Sequence, residues 1–129
     1  MNLALLSLVE VTALTGAMWI PYVANRAFVR GIPATVGYPT ESNLLSPWAQ
    51  RLRAAHANAV ENLVVFATLV LVAAGAGIST PLTVMACQLY LGSRVVHATA
   101  YTFAIPWIRT LAFLGGFTAQ MMLAWQLLA

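Results

Sequence analysis

Two short stretches and one isolated residue hold most of the chemistry in this chain. "RAAHANAVENL", residues 53–63, sets Arg53, His56, Asn58 and Glu61 directly ahead of a long apolar run. "RVVHATAY", residues 94–101, sets Arg94, His97 and Tyr101 at i, i+3 and i+7, on one face of a helix. Arg109 follows, with Thr110 beside it. Asn58 and Glu61 are three apart and adjacent on a helix, and Arg53 lies on the stripe of Glu61. Guanidinium forks suit carboxylates, and a buried glutamate suits an ammonium group. Two facing helices would present Glu61 and Arg94 to each other. The pair then reads either as part of a ligand site or as a structural ion pair, since buried pairs are not functional by nature.

The rest of the chain makes such a cluster conspicuous. Only 7% of the 129 residues are charged and 61% are hydrophobic, against about 25% charged in a soluble domain. Too little charge is present for a water-facing surface, so the chain reads as an integral membrane protein. The charges are Glu10, Arg26, Arg30, Glu41, Arg51, Arg53, Glu61, Arg94 and Arg109. With no Lys, the net charge of +3 rests on arginine alone, which suits fixed anion recognition. An ionisable group inside a membrane is costly unless paired or facing water, and is a functional hypothesis by default. Nucleic acid is excluded as a partner, because no basic run and no recognition module is present. Cys87 stands alone, so no intrachain disulfide forms. His56 and His97 lack partners at metal-ligand spacing. Taken singly, His97 reads as an interhelical hydrogen-bonder and His56 as a solvated or capping group. Arg30 and Arg51 read as cytoplasmic anchors.

The elements that must position these residues are four membrane spans in one domain, 1–129. The first runs over about residues 3–28, kinked at Pro21 by the missing backbone donor. It begins without a basic n-region and reads as a span rather than a cleaved leader. "RGIPATVGYPTESNLLSP" reads as a loop. Ser46 and Pro47 form an N-cap and first-turn pair for a helix over about 47–74. Ser79 or Thr80 before Pro81 opens a third helix over about 80–104, and Pro106 separates a fourth over about 107–128. The fold class is all-α, a membrane four-helix bundle. Arg26, Arg30, Arg51 and Arg53 flank the first loop and Arg109 the third, while the second loop and both termini carry no Lys or Arg. The positive-inside rule therefore places both termini on the non-cytoplasmic side and the polar cluster toward the cytoplasm.

Together the two stretches resemble the second- and third-helix motifs of the MAPEG family (membrane-associated proteins in eicosanoid and glutathione metabolism). Arg53, His56, Asn58 and Glu61 carry the first likeness. Arg94, His97 and Tyr101 carry the second, most similar to the branch of microsomal prostaglandin E synthase and microsomal glutathione transferase. "NRAF" at 25–28 and "IRT" at 108–110 are weaker matches in the expected places. The resemblance covers the whole four-span layout. It implies a homotrimer with glutathione held between neighbouring subunits. It implies that Asn58 and Glu61 hold the peptide part, and that Arg94, His97 and Tyr101 line the pocket with Arg53. Arg26 would lie near the carboxylates, Arg109 would activate the thiol, and Thr110 falls where some members have serine. Ala57 and Ala54 stand where the prostaglandin synthase branch has arginines, and the spacing from Tyr101 to Arg109 is one residue shorter.

The expected function is that of a glutathione-dependent transferase or peroxidase acting on lipophilic electrophiles that enter from membrane lipid. One rival is a non-catalytic binding or structural membrane protein that keeps the fold. Another is a small transporter or channel, which would need polar residues through the full thickness of the bundle. The outer half of the second to fourth spans is almost wholly apolar, which argues against it.

Overall fold

The computed structural model describes residues 1–38 and 45–129. Six helices follow in order: α1 Leu3–Ala17, α2 Trp19–Arg30, α3 Ile32–Val36, α4 Pro47–Gly75, α5 Pro81–Thr102 and α6 Pro106–Leu128. No strand occurs among the described residues. α1 and α2 form the first span, interrupted at Met18. Pro21 cannot donate to the carbonyl of Ala17 four residues earlier, and its ring crowds that carbonyl. α4, α5 and α6 supply the other three helices of the bundle.

Two local readings are corrected. The segment after Gly31 is not all loop: Pro33 stands in the first turn of α3, where its missing N–H costs nothing. Arg26 Nη2 donates to Ala34 O at 2.8 Å and ties α3 to α2. Ser46 does occupy the N-cap position of α4, but its hydroxyl does not cap the helix. It accepts from Asn25 Nδ2 at 3.0 Å, while Ser46 N donates to Asn25 Oδ1 at 2.8 Å. A tertiary partner has taken the local capping group. Thr80 behaves as expected, capping α5 in a reciprocal box with Thr83.

Among the described residues, three spans are long and apolar enough to cross a membrane: Leu3–Arg30, Pro47–Gly75 and Pro106–Leu128. α5, with 22 residues, has the length but carries more polar side chains. It lies against α6 most extensively and also packs on α4 and α1. Thr83, Ser93, Arg94 and His97 are buried there, shielded by protein rather than lipid. Glycines let α6 approach closely: a Cβ at Gly115 would stand 2.7 Å from Ser93 Oγ. Phe66 of α4 stacks on Tyr90 of α5 with ring centroids 3.8 Å apart, beside Leu8, Val11, Val70 and Leu123.

The ends of α4 and α5 are closed alike. Ile78 N bonds Ala73 O at 2.9 Å and Gly77 N bonds Ala74 O at 3.2 Å. Ile105 N bonds Ala100 O at 2.8 Å and Ala104 N bonds Tyr101 O at 3.2 Å. Both are Schellman closures, which need a left-handed residue. Gly77 meets that need at φ 72°, whereas α5 uses Ala104 at φ 59°. An alanine there is strained by roughly 1–2 kcal/mol, partly offset because glycine orders at a greater entropic cost. Ala104→Gly is therefore expected to stabilise the protein by about 0.5–1 kcal/mol. Thermal unfolding in detergent checks this, and an unchanged or lower midpoint counts against the strain.

Candidate functional site

The site is built on the facing stripes of α4 and α5. At about 100° per residue, Arg51, Asn58 and Asn62 lie within about 40° of one another on α4. Opposite them, α5 presents Arg94, His97 and Tyr101. Arg94 Nη2 donates to Asn58 Oδ1 at 2.7 Å and lies 3.3 Å from His97 Nδ1. Asn62 Nδ2 donates to Asn58 O at 2.9 Å and to Asn58 Oδ1 at 3.3 Å. Gln120 of α6, itself buried, donates to Asn62 O at 3.2 Å.

These bonds fix which atoms remain for a ligand. Asn58 Oδ1 receives two donors, so the Nδ2 of Asn58 is left as the free end of the amide. A guanidinium has no acceptor, so His97 Nδ1 accepts and the proton of the neutral ring stands on Nε2. Arg94 is 3% exposed, and among the described residues no carboxylate pairs with it. Its Nε is buried without a hydrogen-bond partner. The cluster thus offers donors and an uncompensated positive charge.

The row continues to the end of α5. The rings of His97 and Tyr101 meet edge-to-face at 5.6 Å, and Phe113 of α6 lies 6.3 Å from His97. The Arg109 guanidinium stands 4.9 Å from the Tyr101 ring centroid, a cation–π contact. Next to it, Arg51 Nε donates to Thr102 O at 2.9 Å. Arg51, Tyr101, Ala104, Ile105, Pro106 and Arg109 line a cavity of about 190 Å³.

Of the residues singled out from sequence, Asn58, Arg94, His97, Tyr101 and Arg109 therefore form one continuous row. Arg26, Arg53, Glu61 and Thr110 do not join it. Arg26 holds the backbone of α3. Thr110 is exposed and bonds its own helix, with Oγ1 donating to Pro106 O at 3.1 Å. Arg53 and Glu61 are exposed, and neither has a hydrogen bond or ion pair among the described residues. The expected pairing of Glu61 with Arg94 is overturned, because Arg94 takes Asn58 instead. The reason is angular. The buried stripe of α4 follows Ala55, Ala59, Phe66 and Val70, and Glu61 lies about 160° around the helix from Ala59. His56 turns the other way and shares a 2.8 Å hydrogen bond between its Nδ1 and Tyr22 Oη.

Asn62, Gln120 and Arg51 were missed. Arg51 had a readable signal, since it precedes Asn58 by seven residues on the same stripe. Asn62 also had one, since it follows Asn58 by four residues on α4 and bonds it there, whereas Gln120 had none, because its partner is a backbone carbonyl on another helix.

Comparison with known families matches residues 8–129 to the MAPEG family. No curated protein and no solved structure matches the chain. The match spans the whole bundle from α1 to the end of α6, including both stripes that build the site. The chain belongs to the MAPEG family.

Proposed function

We propose that this protein is a glutathione-dependent transferase or peroxidase acting on lipophilic electrophiles, akin to the branch of microsomal prostaglandin E synthase and microsomal glutathione transferase. The observation that carries the reading is the buried Arg94 guanidinium, bonded to two neutral side chains and, among the described residues, to no carboxylate. A buried charge left so is costly, and an anionic ligand would offset that cost. Glutathione has the matching chemistry, with two carboxylates and peptide carbonyls for donors to meet. Arg94, the Nδ2 of Asn58 and the Nε2 of His97 would hold its peptide part. When bound it supplies a nucleophilic thiol.

The other residues take their parts from this. Arg109, held over Tyr101, favours the ionised thiol, whose ordinary pKa of about 8.5 leaves it mostly protonated at neutral pH. Asn58 and Arg51 are two helical turns apart, about 10.5 Å, and a tripeptide spans about that length. Glu61 points out of the subunit, where a neighbouring copy in a homotrimer would bring the ligand's ammonium to it. Arg53 and Arg26 would serve the same boundary. The site faces the cytoplasm in the orientation set by the arginines.

Equilibrium titration of the purified protein in detergent with glutathione tests the reading, alongside conjugation of a chlorodinitrobenzene electrophile. Saturable binding with turnover is expected. Binding without turnover would support the rival, a binding protein that keeps the fold. No binding would overturn the glutathione reading itself.

A further inference from the structure

Among the described residues, the cavity at the α5–α6 turn is lined by two cations and no acid. Arg51 enters it from α4 and Arg109 from α6, with Tyr101 between the two helices. The chain has three glutamates. Glu10 is exposed on α1 and Glu61 faces off the bundle, while Glu41 lies outside the described residues. The remaining lining, Ala104, Ile105 and Pro106, is apolar. These three residues are exposed at the mouth of an open pocket, so the two guanidiniums face a shared space that a ligand can enter.

Arg51 is more than a membrane anchor in this setting. Its Nε is committed to Thr102 O at 2.9 Å, at the closed end of α5. That bond fixes the head group in place and leaves its terminal nitrogens for another acceptor. Arg109 is held differently, with its Cζ 4.9 Å from the Tyr101 centroid. Each cation is therefore positioned by a contact that does not neutralise it.

We propose that Arg51 is the second cation of a two-arginine thiolate site. With Arg109 it holds the glutathione sulfur in its ionised form, and the proton released on binding passes to solvent. The inference rests on the glutathione reading above and adds to it a residue on a different helix. A single guanidinium beside a thiol favours ionisation; two in an apolar cavity favour it more strongly.

The test compares glutathione with S-methylglutathione, which has the same charged ends but no ionisable thiol. Both are titrated calorimetrically near neutral pH into wild type, Arg51→Gln and Arg51→Lys in detergent. Glutamine retains a donor for the Thr102 carbonyl, and lysine retains the charge. Arg51→Gln is expected to weaken glutathione about tenfold, with smaller proton release, while S-methylglutathione changes by less than about twofold on the same scale. Arg51→Lys should recover part of the loss. An equal loss for both ligands would assign Arg51 to folding or to a carboxylate and overturn the proposal. An unchanged glutathione affinity would also overturn it. Wild type that binds neither ligand would defeat the glutathione reading, and the thiolate role with it. S-methylglutathione binding by the variant reports that the variant is folded.

Discussion

Arg94→Met is expected to weaken glutathione binding about 10- to 100-fold or more while leaving the unliganded protein as stable as wild type, or more so. The two effects have opposite signs for one physical reason. Arg94 is 3% exposed and is bonded to Asn58 and His97 without a counter-charge among the described residues. Replacing a buried charge that has no counter-charge by an apolar side chain of similar length removes its desolvation cost, against which His97 Nδ1 loses one hydrogen bond. Asn58 keeps the hydrogen bond from Asn62 at 3.3 Å, so its oxygen is not orphaned. The ligand, by contrast, loses a charge-assisted contact of about 1.5–3 kcal/mol and the field that attracts it. Thermal unfolding and calorimetric titration on the same preparation check both halves. A variant that loses stability yet binds glutathione normally would show that Arg94 is structural.

Arg109→Ala is expected to act on the chemical step instead. A group that stabilises charge developing in the reaction contributes to turnover, typically a factor of about 10²–10³. A group that holds ground and transition states alike changes KM. Arg109 lies over Tyr101 at the cavity, at the end of the row opposite Asn58. Its loss should lower kcat about a hundredfold or more and remove the ultraviolet thiolate band of the bound ligand. Asn62 and Arg94 remain to hold Asn58, so the peptide contacts should persist. Full turnover with an undiminished thiolate band would move the role to Tyr101 or Arg51.

Helix positions and half of the site were legible from the chain because they depend on local patterns. Pro21, Pro47, Pro81 and Pro106 mark breaks and starts, and the spacing of Arg94, His97 and Tyr101 is a property of one helix. What was not legible depends on neighbours. Glu61 sits three residues from Asn58, yet the rotation of α4 against α5 turns it outward. Ser46 has the right type for a cap, but Asn25 from another helix claims its hydroxyl. Ala104 is no turn residue by composition, and only the closing bonds of α5 demand its left-handed backbone. Arg51 looked like an anchor until α6 brought Arg109 to the same cavity.

The low apolarity of α5 bears on how the chain enters a membrane at all. A central arginine opposes insertion of an isolated helix by about 2.5–3.5 kcal/mol, and α5 also buries Thr83, Ser93 and His97. Arg94 finds its partner on α4 and His97 packs against Phe113 of α6, while Thr83 bonds Thr80 at the start of its own helix. Few residues, Phe103 to Ile105, separate α5 from α6. The two helices therefore partition as a hairpin, with α6 supplying the hydrophobicity that α5 lacks. The polar row is assembled as part of membrane insertion, since its face cannot be left to lipid.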